Sequence, residues 1–239
     1  MKVEIWSDIA CPFCYIGKRK FEKALAGFGR ENIEVIWRSF QLDPHTRYEP
    51  GKSIHDYLAE KKGMSTTQAR EMNDYVSNMA VAEGLDYHLD KTIPANTLNA
   101  HRLIHLAARK GLQDKAEERL FSAYFTEGEN IEDHQTLIKL GKEVGLDETE
   151  IKHMLDGNEM MEEVEQDISE ARRFGIRSVP FFLFNGEYAV SGAQPSEVFL
   201  QVLEKIKTEE TFQLQNGNSC DIDGNCIDSL RFNQSDLPE

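Results

Sequence analysis

Two cysteines near the start of the chain have the spacing of a redox-active dithiol, in the motif Cys11-Pro12-Phe13-Cys14. They follow a strand-like run at 3–6 and precede apolar residues at helical spacing, so they lie where a strand leads into a helix. If Cys11 caps that helix, Pro12 suits its first turn, where a missing N–H costs nothing. We then expect the free amides of that turn to point toward the Cys11 sulfur and to favour its thiolate, as does the helix dipole.

Cys14 lies one turn further into the predicted helix, close enough to form a disulfide with Cys11. Because the helix covers it, we expect Cys11 to attack a substrate disulfide and Cys14 to resolve the mixed disulfide afterwards. A structural zinc site is the main rival, but it requires two further Cys or His ligands, usually as a second close pair. The other cysteines, Cys220 and Cys226, lie at the far end of the chain. We therefore predict a dithiol and no metal site, and consider an inert buried pair less favoured still.

A second feature lies far along the chain and begins at Ser178-Val179-Pro180. The apolar run 181–184, the pair Asn185-Gly186 and the run 188–190 follow it and predict a hairpin with a tight turn. Proline cannot donate to a strand ladder, so Pro180 marks the boundary of the first strand, and its peptide bond is a candidate for the cis form.

These motifs, with two others, resemble the DsbA-like thioredoxin family and most closely its FrnE-type oxidoreductases. The resemblance covers about residues 1–207 and is carried by the segments 7–17, 96–97, 100–103, 179–182 and 190–194. It implies a thioredoxin-type fold in which a cis-proline loop packs against the dithiol helix and offers its backbone to an extended substrate. The site residues implied are catalytic Cys11 and Cys14, with substrate-binding Pro12, Phe13, Val179 and Pro180.

The same architecture is shared with 2-hydroxychromene-2-carboxylate isomerases and kappa-class glutathione transferases, so a glutathione-dependent isomerase or transferase is an alternative. Those relatives carry a serine at the position of Cys11 and do not need Cys14, which favours a thiol-disulfide oxidoreductase here. A non-catalytic peptide-binding chaperone is a second alternative. The resemblance implies no metal or organic cofactor, with glutathione as a candidate co-substrate and protein or small-molecule disulfides and dithiols as partners. Phe13 is uncharged and leaves open whether oxidation, reduction or isomerisation prevails.

The predicted fold class is α/β, a thioredoxin-like fold with a large inserted all-helical domain. A strand, helix and strand occupy the first forty residues, whereas the next strand-like run begins at 181. Helical patterns fill the interval; one is introduced by the capping box of Ser65 and Gln68, and another by Asp147. We place the thioredoxin-like domain at 1–44 and 158–207, the helical insertion at 45–157 and a C-terminal extension at 208–239.

Several polar residues are candidates for accessory roles. Asn96 and His101 belong to the segments that carry the resemblance, although a helix cap and a solvated helix face are their simpler interpretations. Cys220 and Cys226 could exchange with the dithiol or form a staple without a catalytic role. A calcium loop between them is disfavoured, since the glycine comes too early and no acidic residue closes it.

Bulk properties limit the partners. The chain has 239 residues, of which 40% are hydrophobic, and a formal net charge of -15. Such a charge disfavours nucleic acid and anionic membranes as partners, because both reward a basic surface. The chain enters its first strand directly after Met1-Lys2, with no pattern of a signal peptide, so we expect a cytoplasmic location. The oligomeric state is not predicted.

Overall fold

The computed structural model of the protein describes residues 1–29 and 32–217, with side chains through residue 212. Strands β1 (Lys2–Ser7), β2 (Glu34–Ser39), β3 (Phe181–Phe184) and β4 (Tyr188–Ser191) form one mixed sheet in the order β2-β1-β3-β4. β1 runs parallel to β2, whereas β3 is antiparallel to both β1 and β4. Asn185 and Gly186 both have positive φ, which confirms the tight hairpin turn. The strand-like sequence pattern starts at Asn32, but β2 begins two residues later, at Glu34, because Asn32 has a φ of 65°.

Two helices cover one face of the sheet. α1 (Pro12–Phe28) joins β1 to β2, and α9 (Ser196–Gly217) packs beside it. Phe182 of β3 lies between them, with its ring centroid 5.4 Å from that of Phe21 and 4.6 Å from that of Phe199. The three rings form the apolar contact that holds the dithiol helix on the sheet.

The opposite face carries α8 (Met161–Arg173). Trp6 of β1 donates from its indole nitrogen to the Asp167 carbonyl at 3.0 Å and packs edge-on against Phe181. Alternation along the strands thus sends neighbouring residues of β3 to two different helical layers.

The segment between β2 and α8 is helical, as predicted. It contains α2 (Ile54–Lys62), α3 (Thr66–Ala82), α4 (Leu98–Ala108), α5 (Gln113–Ser122), α6 (His134–Val144) and α7 (Glu148–Asp156), with a π-helical turn at Ala123–Glu127. The capping box of Ser65 and Gln68 is present, and Asp147 caps α7. The domain boundaries stay a prediction, since one apolar core runs through both the sheet layer and these helices.

α5 also covers an edge of the sheet. The Gln113 side chain donates to the Trp37 carbonyl at 2.9 Å and accepts from the Trp37 amide at 3.1 Å. An amide side chain therefore occupies the place of a further strand beside β2 and blocks pairing there. Among the described residues, no helix combines the length and the apolar character needed to cross a membrane.

Candidate active site

Cys11 is the N-cap of α1 and Pro12 is its first residue, as predicted. Cys11 has extended backbone angles, with φ of -94° and ψ of 109°. Its amide donates to the Asp8 carbonyl at 2.9 Å, and its carbonyl accepts from the Cys14 amide at 3.0 Å. These two bonds hold the dithiol turn between the end of β1 and the first turn of α1.

The expected contact between the first-turn amides and the Cys11 sulfur is not present. The helix has no side-chain hydrogen bond at its cap, and the Cys11 thiol instead contacts the Val179 carbonyl oxygen, with 3.5 Å from Sγ to oxygen. A protonated sulfur is only a weak acceptor for amides, but it can also donate weakly, and here it donates to this carbonyl oxygen. That carbonyl comes from a segment 168 residues away, which no local pattern could reveal.

The proline loop packs directly against the dithiol helix. The Val179-Pro180 peptide bond is cis, and both residues are buried. At Gly17 of α1, an added Cβ would lie only 2.9 Å from Pro180 Cγ, so glycine permits this close approach. Phe13 is 38% exposed, whereas Cys11 is 4% exposed. The apolar Phe13 ring is therefore the main solvent-facing part of the dithiol turn.

The two cysteines lie in different environments. Both are free thiols, but Cys14 is completely buried. Burial raises the pKa of the Cys14 thiol well above its usual value, and the neighbouring Cys11 adds to this, whereas Asp8 and Ser7 oppose it. Cys14 therefore stays protonated until a partner takes its proton, in agreement with the predicted order of reaction.

The helical insertion reaches the dithiol turn through Tyr87, in the segment between α3 and α4. Its hydroxyl donates to the Pro12 carbonyl at 2.8 Å, and its ring stacks 4.7 Å from Phe125 and 6.1 Å from Tyr15. Through this hydrogen bond, a residue outside α1 contacts a carbonyl of the first turn of α1. Tyr87 thus links the insertion to the reactive turn.

Beneath Cys14 lies a buried polar group that we call the dithiol cluster: Ser7, Asp8, His101 and Glu117. The Ser7 hydroxyl donates to Glu117 Oε1 at 2.8 Å. His101 Nε2 lies 3.4 Å from Asp8 Oδ1, but the two are too poorly aligned for a hydrogen bond. All four residues are at most 2% exposed. The insertion therefore places an imidazole and a carboxyl group next to the end of β1.

Burial is the largest single influence on the pKa values of Glu117 and His101, and it acts on the two in opposite directions. It raises the pKa of Glu117 to about 7, although His101, Ser7 and Lys18 favour the carboxylate. Burial alone would lower the pKa of His101, but Asp8 and the more distant Glu117 outweigh it and raise that pKa. The cluster can therefore exchange protons near neutral pH.

The other residues proposed from the sequence have varied positions. Asn96 donates from Nδ2 to the Pro44 and Thr46 carbonyls at 2.9 and 3.0 Å and accepts from the Leu98 amide, so it ties two loops together just before α4 begins. Its accessory role stays a prediction. Cys220 and Cys226 lie outside the described residues.

Three residues of the site were not assigned roles from the sequence. Ser7 and Asp8 belong to the segment that carries the resemblance, and a polar pair directly before the dithiol was an available signal. Glu117 lies four residues before Phe121, on the apolar face of α5, and a carboxyl group at a core position is itself unusual. Spacing alone does not show that its hydrogen-bond partner is Ser7.

A mixed sheet with a dithiol at the start of its first helix and a cis-proline loop beside it defines a thioredoxin-type protein. The chain belongs to the DSBA-like thioredoxin domain family, which matches residues 2–204. An uncharacterized Bacillus subtilis protein, YwbO, is 30% identical over 201 residues, which are 82% of this chain and 92% of that protein. The narrower assignment to a FrnE-type branch stays a prediction.

Solved structures of oxidoreductases and of an isomerase are similar to this chain in fold. A probable DsbA oxidoreductase from Streptomyces coelicolor is 40% identical with a TM-score of 0.83, covering 87% of this chain and 91% of its own. A 2-hydroxychromene-2-carboxylate isomerase is 15% identical with a TM-score of 0.63, covering 92% and 100%. The cytosolic disulfide reductase DsbM from Pseudomonas aeruginosa, solved with GSH, is 14% identical with a TM-score of 0.58, covering 90% and 100%. The last two similarities concern the fold alone.

Proposed function

We propose that the protein is a thiol-disulfide oxidoreductase in which Cys11 is the nucleophile and Cys14 the resolving thiol. The observation that carries the proposal is the contrast between the two sulfurs. Cys11 lies at the helix cap beside the Val179 carbonyl, whereas Cys14 is fully buried with a raised pKa. A thiolate is the reacting species, so Cys14, which is fully buried and has a raised pKa, is disfavoured as the first nucleophile.

In the reductive direction, the Cys11 thiolate attacks one sulfur of a substrate disulfide and forms a mixed disulfide, and the first substrate thiolate leaves. Cys14 then loses its proton and attacks the Cys11 sulfur, so that the enzyme disulfide forms and the second substrate thiolate leaves. The substrate gains two electrons and the dithiol loses two. The same steps in reverse oxidise a substrate dithiol.

Protein or small-molecule disulfides are the proposed substrates. Once Cys11 has lost its proton, the Val179 carbonyl is free to accept a hydrogen bond from the N–H of an extended substrate. Phe13, exposed beside the dithiol, and the buried Pro180 would contact apolar groups next to the substrate disulfide. The reaction needs no metal or organic cofactor, glutathione is a candidate co-substrate for recycling, and a cytoplasmic location stays a prediction.

An insulin-reduction assay tests this function with two matched variants. Cys11→Ser removes the nucleophile and should abolish turnover, whereas Cys14→Ser should still capture substrate and accumulate a mixed disulfide on Cys11, seen by mass spectrometry. In a glutathione buffer series, the wild type should form the Cys11-Cys14 disulfide at oxidising poise. If no such disulfide forms at any poise, the proposed function is wrong.

The same variants separate the two alternatives. Isomerase activity with glutathione that survives in Cys11→Ser would favour the glutathione-dependent class, because its members use a serine there. A chaperone would protect a substrate from aggregation equally well in the wild type and in Cys14→Ser, without measurable turnover in either.

We further propose that Cys220 and Cys226 exchange with the dithiol rather than form a staple, since a reducing compartment would open an isolated staple. The double variant Cys220→Ser/Cys226→Ser should then slow insulin reduction without changing capture by Cys11. A rate equal to that of the wild type would contradict an exchange role.

A further inference from the structure

Resting on the proposed function, we infer that the Tyr87 hydroxyl strengthens the Phe13 amide as the hydrogen-bond donor that holds the Cys11 thiolate before attack. The inference starts from one hydrogen bond of the helical insertion, in which Tyr87 Oη donates to the Pro12 carbonyl at 2.8 Å. Tyr87 acts on the sulfur through the peptide bond that it contacts, so it is a positioning residue.

The Pro12 carbonyl and the Phe13 N–H belong to one planar peptide unit, which is stabilised by resonance. A hydrogen bond accepted by the carbonyl polarises this unit and makes its N–H a stronger donor, by about 10 to 30% for each bond in a chain. The Tyr87 hydroxyl therefore changes the strength of the Phe13 N–H as a donor.

The Phe13 amide is the donor that remains for the Cys11 sulfur. Phe13 is the second residue of α1, and an N-cap side chain characteristically accepts from the amide of the second or third helical residue. The third amide, that of Cys14, already donates to the Cys11 carbonyl at 3.0 Å. In the described part of the chain, no acceptor is found for the Phe13 amide.

Loss of the thiol proton changes which partner suits the Cys11 sulfur. The protonated sulfur lies 3.5 Å from the Val179 carbonyl oxygen, a contact that a thiolate cannot keep because it has no proton to donate. The negative sulfur and the carbonyl oxygen repel each other, whereas the amides of the first helical turn attract the anion. The Phe13 N–H then becomes the partner of the sulfur, and Tyr87 sets its strength.

Tyr87 stays a donor while Cys11 loses its proton. Burial is the main cause that raises the pKa of the Tyr87 hydroxyl. The neighbouring Cys11, Tyr15 and Cys14 raise that pKa further, whereas the positive charge of Arg19 opposes them. The hydroxyl therefore keeps its proton on the Pro12 carbonyl at any pH at which the dithiol reacts.

The test follows alkylation of Cys11 by iodoacetamide in the full-length protein across pH, with tandem mass spectrometry to separate label on Cys11 from label on Cys14. Tyr87→Phe keeps the ring and removes the hydroxyl, so the thiolate fraction of Cys11 should fall about threefold. The pH of half-maximal rate should therefore rise by about 0.5 unit. Below that pH the rate should fall only about twofold, because a less stabilised thiolate is also a stronger nucleophile.

Two further replacements separate hydrogen-bond strength from packing. Replacement of Tyr87 by 3-fluorotyrosine keeps the ring and the hydrogen bond but makes the hydroxyl a stronger donor, so the pH of half-maximal rate should fall. Tyr188→Phe makes the same chemical change as Tyr87→Phe at the opposite end of the sheet from the dithiol, where the Tyr188 hydroxyl donates to Glu209 Oε2 at 2.7 Å. It should leave the alkylation profile in place.

The opposite shifts expected from phenylalanine and 3-fluorotyrosine are the measurement that a purely structural role of Tyr87 would not produce. If Cys11 is alkylated in the wild type and Tyr87→Phe gives the same profile, the inference is wrong. The same holds if both replacements shift the profile in one direction. The proposed function then still stands, because insulin reduction by the wild type decides it separately. If Cys11 of the wild type is not alkylated at any pH, the proposed function is wrong and the inference fails with it.

Discussion

Two buried polar clusters join the helical insertion to the sheet, and they differ in how well their charges are satisfied. The Asp167 cluster consists of Asp167, Arg38, Ser39, His105 and Glu4. The Asp167 carboxylate accepts from Arg38 Nη1 at 2.9 Å and from the Ser39 amide at 2.8 Å, and lies 3.0 Å from His105 Nε2. Arg38 also pairs with Glu4. In the Asp167 cluster, carboxylates are therefore paired with a group of opposite charge, which is typical of a structural ion network.

In the dithiol cluster, Asp8 accepts from the Leu42 and Ala10 amides at 2.7 and 3.3 Å, but His101 and Glu117 are less well satisfied. His101 Nε2 has no aligned hydrogen bond, and the hydrogen bond found for the Glu117 side chain comes from Ser7. Burial without full compensation raises the pKa of Glu117 to about 7, whereas the Asp167 carboxylate accepts from two donors, one of them the charged Arg38. The difference indicates that incomplete satisfaction, rather than burial alone, keeps protons exchangeable beside the dithiol.

The largest effect is expected where the Asp167 cluster is broken. Asp167→Ala leaves the Arg38 guanidinium and the Ser39 amide without their buried acceptor, and should destabilise the protein by about 3 to 5 kcal/mol. Urea unfolding measures this. Glu165→Gln, an exposed change on the same helix, should stay within about 0.5 kcal/mol of the wild type. A loss below about 1 kcal/mol for Asp167→Ala would remove the distinction between the two clusters.

In the dithiol cluster, by contrast, we expect the substitution of a buried carboxyl group to stabilise the folded protein. Because the pKa of Glu117 is higher in the folded than in the unfolded state, its contribution to the free energy of unfolding is fully favourable below the unfolded-state pKa of 4.5. That contribution is lost as the pH rises through about 7. Glu117→Gln escapes this loss and should be more stable than the wild type by about 3 kcal/mol above about pH 8, with little difference at about pH 4. Unfolding of both proteins across pH measures the gain; a pH-independent difference would contradict it.

A smaller effect is expected at His101, whose charge favours the Glu117 carboxylate. His101→Gln should raise the pKa of Glu117 and shift the pH profile of the unfolding free energy upward by about one unit. His153→Gln changes an exposed histidine on α7 and should leave the profile in place. An unshifted profile in His101→Gln would mean that the two groups are not coupled.

The smallest effect concerns the hydrogen bond from Tyr87 of the insertion to the dithiol turn. Tyr87→Phe removes the hydrogen bond to the Pro12 carbonyl but keeps the stacked ring, and should cost about 1 kcal/mol in unfolding free energy. Tyr75→Phe, an exposed change on α3, is the matched control. A cost as large as that of Asp167→Ala would show that this contact, too, belongs to a buried polar network.

The parts of the fold and site that could be predicted are those governed by neighbours in sequence. The cap at Cys11, the first-turn Pro12, the Asn185-Gly186 turn and the capping box at Ser65 depend on backbone preferences within a few residues. The contact of the Cys11 thiol with the Val179 carbonyl was not predicted, because that carbonyl belongs to the distant proline loop. His101 was selected as a candidate, but its buried environment was not foreseen.

The sequence by itself determined the dithiol, the helix that begins at it, the hairpin after the proline and the helical character of the insertion. Only the tertiary structure decided what surrounds the second sulfur. Ser7 and Glu117 are 110 residues apart in the chain and 2.8 Å apart in space. Helix periodicity predicts which face of α5 is buried, but not which strand end that face meets, since this depends on how the whole insertion packs on the sheet. Burial by that packing, rather than any motif, raises the pKa of Glu117 to about 7.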